Sequence, residues 1–152
     1  MLGSEGLGLM VWSPLAGGLL TGKYSLGADG EIEGDGRRVA FDFPVIDRQR
    51  TFAVVDAMRP IAEAHGTSVA AIALSWLLHQ PAVSTVIVGA KRADQLADNL
   101  AATEVELTAE DLAALDEASA LPREYPGWMF DTQGAYYDNK ISPRRTPQAS
   151  TQ

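Results

Sequence analysis

The chain has no cysteine and only two histidines among its 152 residues. Without cysteine there is no disulfide framework, no thiolate metal site and no thiol nucleophile. That fits a reducing cytosol, and a cytoplasmic location is the expectation. Bases are scarce as well: 12 Lys and Arg stand against 20 Asp and Glu, a formal net charge of −8. Nucleic acid binding needs a basic surface, so it is excluded as the main activity. Long hydrophobic runs are also lacking. The apolar stretch inside "VAAIALSWLL" (69–78) falls well short of the roughly 18 residues a membrane span needs. The start carries Glu5 and has no base before Lys23, unlike a secretory signal. A soluble protein without a membrane partner is expected.

What is present fits one packed globular domain. Hydrophobic residues make up 46% of the chain, which is enough for a core at this length. Two short apolar runs, "GLMVW" (8–12) and "TVIVGA" (85–90), read as strands. Their continuous rather than alternating apolarity predicts strands covered on both faces, as in a parallel sheet. The stretch between them is too long for a hairpin. It reads as two helices. One places Phe52, Val55, Met58, Ile61 and Ala62 on one face and stops at Gly66, with Pro60 expected to kink or divide it. The second, "VAAIALSWLLHQ", is capped by Thr67 or Ser68 and ended by Pro81.

After the second strand, "ADQLADNLAA" and "TAEDLAALDEAS" read as helices, the latter opened by a capping box of Thr108 and Asp111. The order strand, helices, strand, helices belongs to an α/β fold. "SLGADGEIEGDGRR" (25–38) reads as a mobile loop, "EYPGWMF" (124–130) as a packing segment, and "KISPRRTPQASTQ" (140–152) as a disordered tail. Two parallel strands alone leave an unpaired edge on each side, and exposed apolar edges invite self-association.

Two places carry candidate chemistry. Lys91 and Arg92 stand where the second strand passes into a helix. A helix start carries partial positive charge and disfavours bases, but it also binds anions through its free N–H groups. A phosphate at Ala93 and Asp94 would turn the unfavourable placement into a favourable one, with Gln95 and Asn99 able to add hydrogen bonds from the same face. The alternative is that both bases point into water near Asp94 and Asp98. The first strand ends similarly, in "WSPLAGGLLTGKY". Gly17 and Gly18 would let backbone approach a ligand, Lys23 follows, and Trp12 offers a flat face. The plain reading there is a core tryptophan and a glycine-shaped turn.

Other residues carry less. His65 and His79 lie at helix ends without ligand spacing, so no metal site is expected. Ser75 lacks the G-x-S-x-G context of a nucleophile. No proton-transfer constellation is visible, and no catalytic residue is assigned.

The stretches "GLMVWSPLAGGLLTGKY", "VSTVIVGAKRADQLADNL" and "LTAEDLAALDEAS", in that order, resemble the C-terminal part of the aldo-keto reductases. The resemblance implies an α/β chain that is an incomplete, C-terminal portion of a TIM (β/α)8 barrel, two parallel strands with flanking helices. Residues 1–122 would form the β/α units and 123–152 a C-terminal extension. The family binds NADP(H) and reduces carbonyls by hydride transfer. By resemblance, Trp12 matches the residue that stacks on the nicotinamide, and Ser13, Leu15, Gly17 and Gly18 match the turn along the pyrophosphate. Lys23 and one of Arg37 or Arg38 match the basic groups of the loop closing over it. Gly89, Lys91 and Arg92 match the 2′-phosphate site, and Gln95, Asp98 and Asn99 match positions beside adenine and ribose.

The family's Asp, Tyr, Lys and His tetrad lies on earlier strands that have no counterpart here. The isolated chain is therefore expected not to reduce carbonyls. Its expected partners are NADP(H) and either itself or the N-terminal portion of a barrel.

Overall fold

A computed structural model of the chain describes residue 2 and residues 5–41, 43, 45–122, 125 and 129. The chain divides into two units, Met1–Ala120 and Leu121–Gln152, and every element below belongs to the first. The packing segment at 124–130, the extension at 123–152 and the tail at 140–152 lie outside the described residues, apart from Tyr125 and Met129.

The helices form the body. α2 (Arg48–Ala64) starts at Asp47, whose side chain accepts from the Arg50 backbone N–H at 3.0 Å. It buries the five residues expected to share its core face: Phe52, Val55, Met58, Ile61 and Ala62. Pro60 does not divide it. The proline sits on the exposed side, where water can take up the carbonyl left without its helical donor. The helix stops at Gly66, which has a left-handed φ of 60°. There Gly66 N–H donates to Glu63 O (3.1 Å) and Thr67 N–H to Ala62 O (2.9 Å), a Schellman closure that satisfies the last carbonyls.

α3 (Val69–Leu78) is capped by Ser68, whose Oγ accepts from Ala71 N–H at 3.0 Å. Its residues Ala70 to Ser75 are all buried. α5 (Ala109–Ser119) opens on the expected capping box of Thr108 and Asp111. α2, α3 and α5 share one core of Val55, Met58, Ile61, Ala62, Ile72, Ala73, Leu107 and Leu115. Full burial of a side chain such as Val55 or Ile72 stabilises by about 1.5–3 kcal/mol, and Ile72→Ala should cost about 2–5 kcal/mol. Arg50 adds a staple, its guanidinium donating to the carbonyls of Ser119 and Ala120, where a cation suits the end of α5.

The sheet is two-stranded. β1 (Leu9–Trp12) pairs in parallel with β4 (Val83–Ile87), with Val11 opposite Val86 and Trp12 opposite Ile87. β4 thus begins two residues earlier than the apolar run and ends before Val88. One expectation fails here: the strands are not covered on both faces. Leu9, Met10, Trp12 and Ile87 are 39, 63, 80 and 45% exposed. Side chains alternate across a strand, so Val11 and Val86 turn one way, and Val86 packs on the cluster of Ala71, Leu74 and Ala102. Trp12 and Ile87 turn the other way, where the described residues supply no covering layer.

The glycine-rich segment 25–38 is also more ordered in form than expected. β2 (Ser25–Leu26) and β3 (Ile32–Glu33) pair antiparallel, and α1 (Arg37–Ala40) follows. Asp29 Oδ1 accepts from Glu31 N–H at 3.0 Å, an Asx-type turn. Arg48 fastens the tip to α2 by donating to Gly30 O (2.7 Å) and pairing with Glu31 (2.9 Å). α4 (Ala93–Ala101) runs into a short 3-10 turn, Ala102–Glu104. The described residues therefore form an α/β unit of two parallel strands with flanking helices and an antiparallel ribbon. Among them, no single helix is long and apolar enough to cross a membrane.

Candidate functional site

Because β1 and β4 are parallel and end level, at Trp12 and Ile87, both following turns leave the same end of the sheet. Ligands in α/β folds bind at that carboxyl end.

The turn after β1 is strained and held by tertiary contacts. Ser13 and Ala16, neither a glycine, have φ of 55° and 50°, and Gly17 and Gly18 follow at 68° and 96°. Non-glycine residues there cost on the order of 1–3 kcal/mol and persist only where surroundings fix them. Leu15 supplies part of that fixing by packing against the cores of α2 and α3. A side chain on Gly17 would place its Cβ 3.2 Å from Arg38 Cδ, and one on Gly18 would lie 3.4 Å from Lys23 Cε. Bare backbone at both positions thus faces a cation's stem. Arg38 is 2% exposed. Arg37 is exposed and lies over Phe41, its Cζ 5.6 Å from the ring centroid. Of the two arginines, Arg38 is the one beside the turn.

The turn after β4 is held by its own neighbours. Arg92 is the N-cap residue of α4 and makes no capping bond through its side chain. Its guanidinium instead grips Asp94, with Nε to Oδ1 at 2.9 Å and Nη2 to Oδ2 at 2.8 Å. These hydrogen bonds hold the Asp94 carboxyl below the usual carboxylate range and lift the Arg92 guanidinium above its own. Asp94 in turn suits the positive end of the helix. Lys91 N–H donates to Gln95 Oε1 at 3.0 Å, while the Lys91 side chain is exposed. A Cβ at Gly89 would meet nothing within 4 Å, so packing here does not demand a glycine. Asp98 accepts from Ser68 Oγ at 2.8 Å and so ties α4 to the cap of α3. Asn99 is 9% exposed and lines a cavity of about 230 Å³ with Leu74, Val86 and Thr103.

The sequence expectations thus fall into groups. Gly17, Gly18, Lys23 and Arg38 come together in one place. Gly89, Lys91, Arg92 and Gln95 gather in another, at the same sheet end. Trp12 stands exposed beside both, whereas Asp98 and Asn99 serve contacts within the fold. Sequence reasoning missed Ala16, whose strain has no signature in composition, and the placement of Tyr24, which depends on residues from Leu19 to Phe52.

Residues set aside earlier have structural duties. His65 Nε2 lies 2.9 Å from Asp111 Oδ2, and this bond, with the Thr108 N–H, holds the Asp111 carboxyl below the usual range. His79 Nδ1 bonds Ser75 O at 2.8 Å. Ser75 Oγ is buried and donates to Val105 O at 2.8 Å, a tether rather than a nucleophile. Among the described residues, no three His, Cys, Asp or Glu side chains group to hold a metal ion.

Residues 1–120 match the model of the aldo/keto reductase family. The chain belongs to the aldo/keto reductase family. It is 39% identical over 104 residues to a probable voltage-gated potassium channel subunit beta of Oryza sativa, covering 66% of this chain and 31% of that one. It is 36% identical over 119 residues to an L-glyceraldehyde 3-phosphate reductase of Escherichia coli, covering 76% of this chain and 34% of the other. Aldo-keto reductase str7 of Strobilurus tenacellus is 34% identical over 120 residues, with 77% and 35% covered. The chain spans about a third of the length of these relatives. The family's fold is a TIM barrel, and two parallel strands with flanking helices are what an incomplete barrel contains.

Proposed function

We propose that these residues are the cofactor-clamping, C-terminal part of an NADP(H)-dependent aldo/keto reductase. The observation that carries this reading is the parallel pairing of Trp12 with Ile87, which sends a strained glycine turn and a Lys-Arg helix start off one sheet end. The glycine turn suits a pyrophosphate, since Gly17 and Gly18 expose backbone between the stems of Arg38 and Lys23. The start of α4 suits the 2′-phosphate through its N–H groups and the exposed Lys91. Arg92 is committed to Asp94, so Lys91 carries the larger share of the selectivity for NADP(H) over NAD(H). Trp12, 80% exposed at the strand end, is available to stack on the nicotinamide, which supplies the hydride when the cofactor is bound.

Family membership supports carbonyl reduction as the activity of a complete barrel, and the E. coli relative is named a reductase. For the isolated 152-residue chain we propose no such activity, because none of its residues matches the family's Asp, Tyr, Lys and His tetrad. Titration of tryptophan fluorescence with NADP+ tests binding, and loss of the response in Lys91→Glu locates it. NADPH consumption with an ordinary aldehyde by the pure chain would refute the inactivity.

A second reading, a non-catalytic chain that self-associates, is favoured by the exposure of Met10, Trp12 and Ile87 on one bare face. Apolar faces and unpaired strand edges of this kind promote association. Sedimentation over a range of concentrations tests it. A monomer at every concentration excludes it.

A further inference from the structure

Tyr24 is the residue in this region whose contacts the proposed cofactor site does not use, and they converge on its charged groups. Its ring is 2% exposed and packs with Leu19, Ile32 and Phe52. Its hydroxyl accepts from the Arg38 backbone N–H at 3.3 Å, a bond spanning 14 residues. Lys23 Nζ stands 4.8 Å from the ring centroid, within cation–π range. The far arm of the β2–β3 hairpin is shaped around the same ring. A Cβ at Gly34 would lie 3.2 Å from Tyr24 Cδ1, and one at Gly36 would lie 2.3 Å from Oη and 2.8 Å from Lys23 Nζ. Position 36 also has φ of 151°. A side chain at position 36 would therefore have to displace the Tyr24 hydroxyl and the Lys23 ammonium and strain the backbone.

From this convergence we propose that Tyr24 is the positioning residue of the pyrophosphate clamp. One side chain touches both residues whose cations flank the Gly17–Gly18 turn, Lys23 through its ring face and Arg38 through the backbone N–H at the start of α1. With the hairpin seated, Arg38 is 2% exposed. Its stem lies against Gly17, so its charge stands behind the turn on which a pyrophosphate would rest. Such a device lowers the ordering cost of binding, because the cations are aligned before the anion arrives. The inference rests on the cofactor reading given above, and its test separates the two.

The variant is Tyr24→Phe, which keeps the ring and removes the hydroxyl. Amide hydrogen exchange on the full ligand-free chain should show residues 36–40 opening about fivefold more readily, the effect of one lost hydrogen bond. Calorimetry should show inorganic pyrophosphate and NADP+ binding about fivefold more weakly. Adenosine 2′-monophosphate, whose phosphate belongs at Lys91, should bind as in wild type. A merely structural role would weaken all three ligands together, and that result overturns the proposal, as does unchanged exchange with unchanged pyrophosphate affinity. A second variant guards against misfolding. Gly36→Ala should loosen the hairpin more in the wild-type background than in the Tyr24→Phe background, where the nearest clashing atom is gone. Equal effects in both backgrounds contradict contact through the hydroxyl. A wild-type chain that binds none of the ligands overturns the cofactor reading and the clamp role with it. Even then the exchange comparison decides whether Tyr24 holds the hairpin.

Discussion

The two turns that leave the sheet carry similar charges and are held in opposite ways. After β4, the charged residues bond locally: Arg92 grips Asp94 two residues on, and Lys91 N–H reaches Gln95 four residues on. After β1, local turn bonds are joined by longer-range contacts: Gly17 meets the stem of Arg38, and Tyr24 receives the Arg38 N–H. Locally held groups on an exposed helix start are set by adjacent residues and open to water. Those held at a distance depend on the packing of an entire hairpin. On the proposed reading, the helix start chooses the nucleotide and the glycine turn clamps it, so damage to each should show in a different quantity.

That contrast can be broken by substitution. The largest effect should come from Lys91→Glu, which replaces a charge-assisted contact with repulsion. NADP+ affinity should fall roughly tenfold to a hundredfold by calorimetry, while the melting temperature stays where it was. Gly18→Val forces a branched side chain onto a φ of 96°. It should cost about 1–3 kcal/mol of stability in urea unfolding and weaken pyrophosphate along with NADP+. If Gly18→Val instead spared pyrophosphate, the turn would not be the clamp.

Smaller effects sharpen the comparison. Asp111→Ala, far from both turns, removes the acceptor of His65 and Thr108 and should cost about 1 kcal/mol without altering relative affinities for NADP+ and NAD+. Its pH dependence has a definite sign. The Asp111 carboxyl is held below the usual range, so its contribution is present above the ordinary aspartate pKa near 4 and disappears as pH falls through the lowered value. Wild type and Asp111→Ala should therefore converge in stability under acid. Arg92→Ala should have the smallest effect, with no measurable change in melting temperature. Its pair with Asp94 is solvent-exposed, where ion pairs contribute little.

The same division between local and distant contacts explains what the sequence disclosed. The Thr108–Asp111 capping box, a cap at Thr67 or Ser68, the Gly66 stop and the buried face of α2 are all set within a few residues and legible from spacing, though only the structure picks Ser68 as the cap. The β2–β3 hairpin is not, because two-residue strands carry no periodicity and the glycine-acid composition imitates a loop. The bare face at Trp12 and Ile87 is not legible either, for a related reason. A continuous apolar run records what a strand is built to meet, not whether the covering layer is present. In the site, Lys91 and Arg92 stood out as charges in an unfavourable place, yet the grip of Arg92 on Asp94 emerges only from geometry. Arg38 could not be told from Arg37 until packing put one beside Gly17 and the other over Phe41.

On the proposed reading, one nucleotide spans both turns. Calorimetric titration of the full chain with NADP+ and with NAD+, in wild type and in Lys91→Glu, tests it most directly. Wild type should favour NADP+ by at least about tenfold, and the preference should vanish in the variant while residual binding of NAD+ survives. Equal affinity of wild type for the two nucleotides, or no binding of either at millimolar concentration, would contradict it.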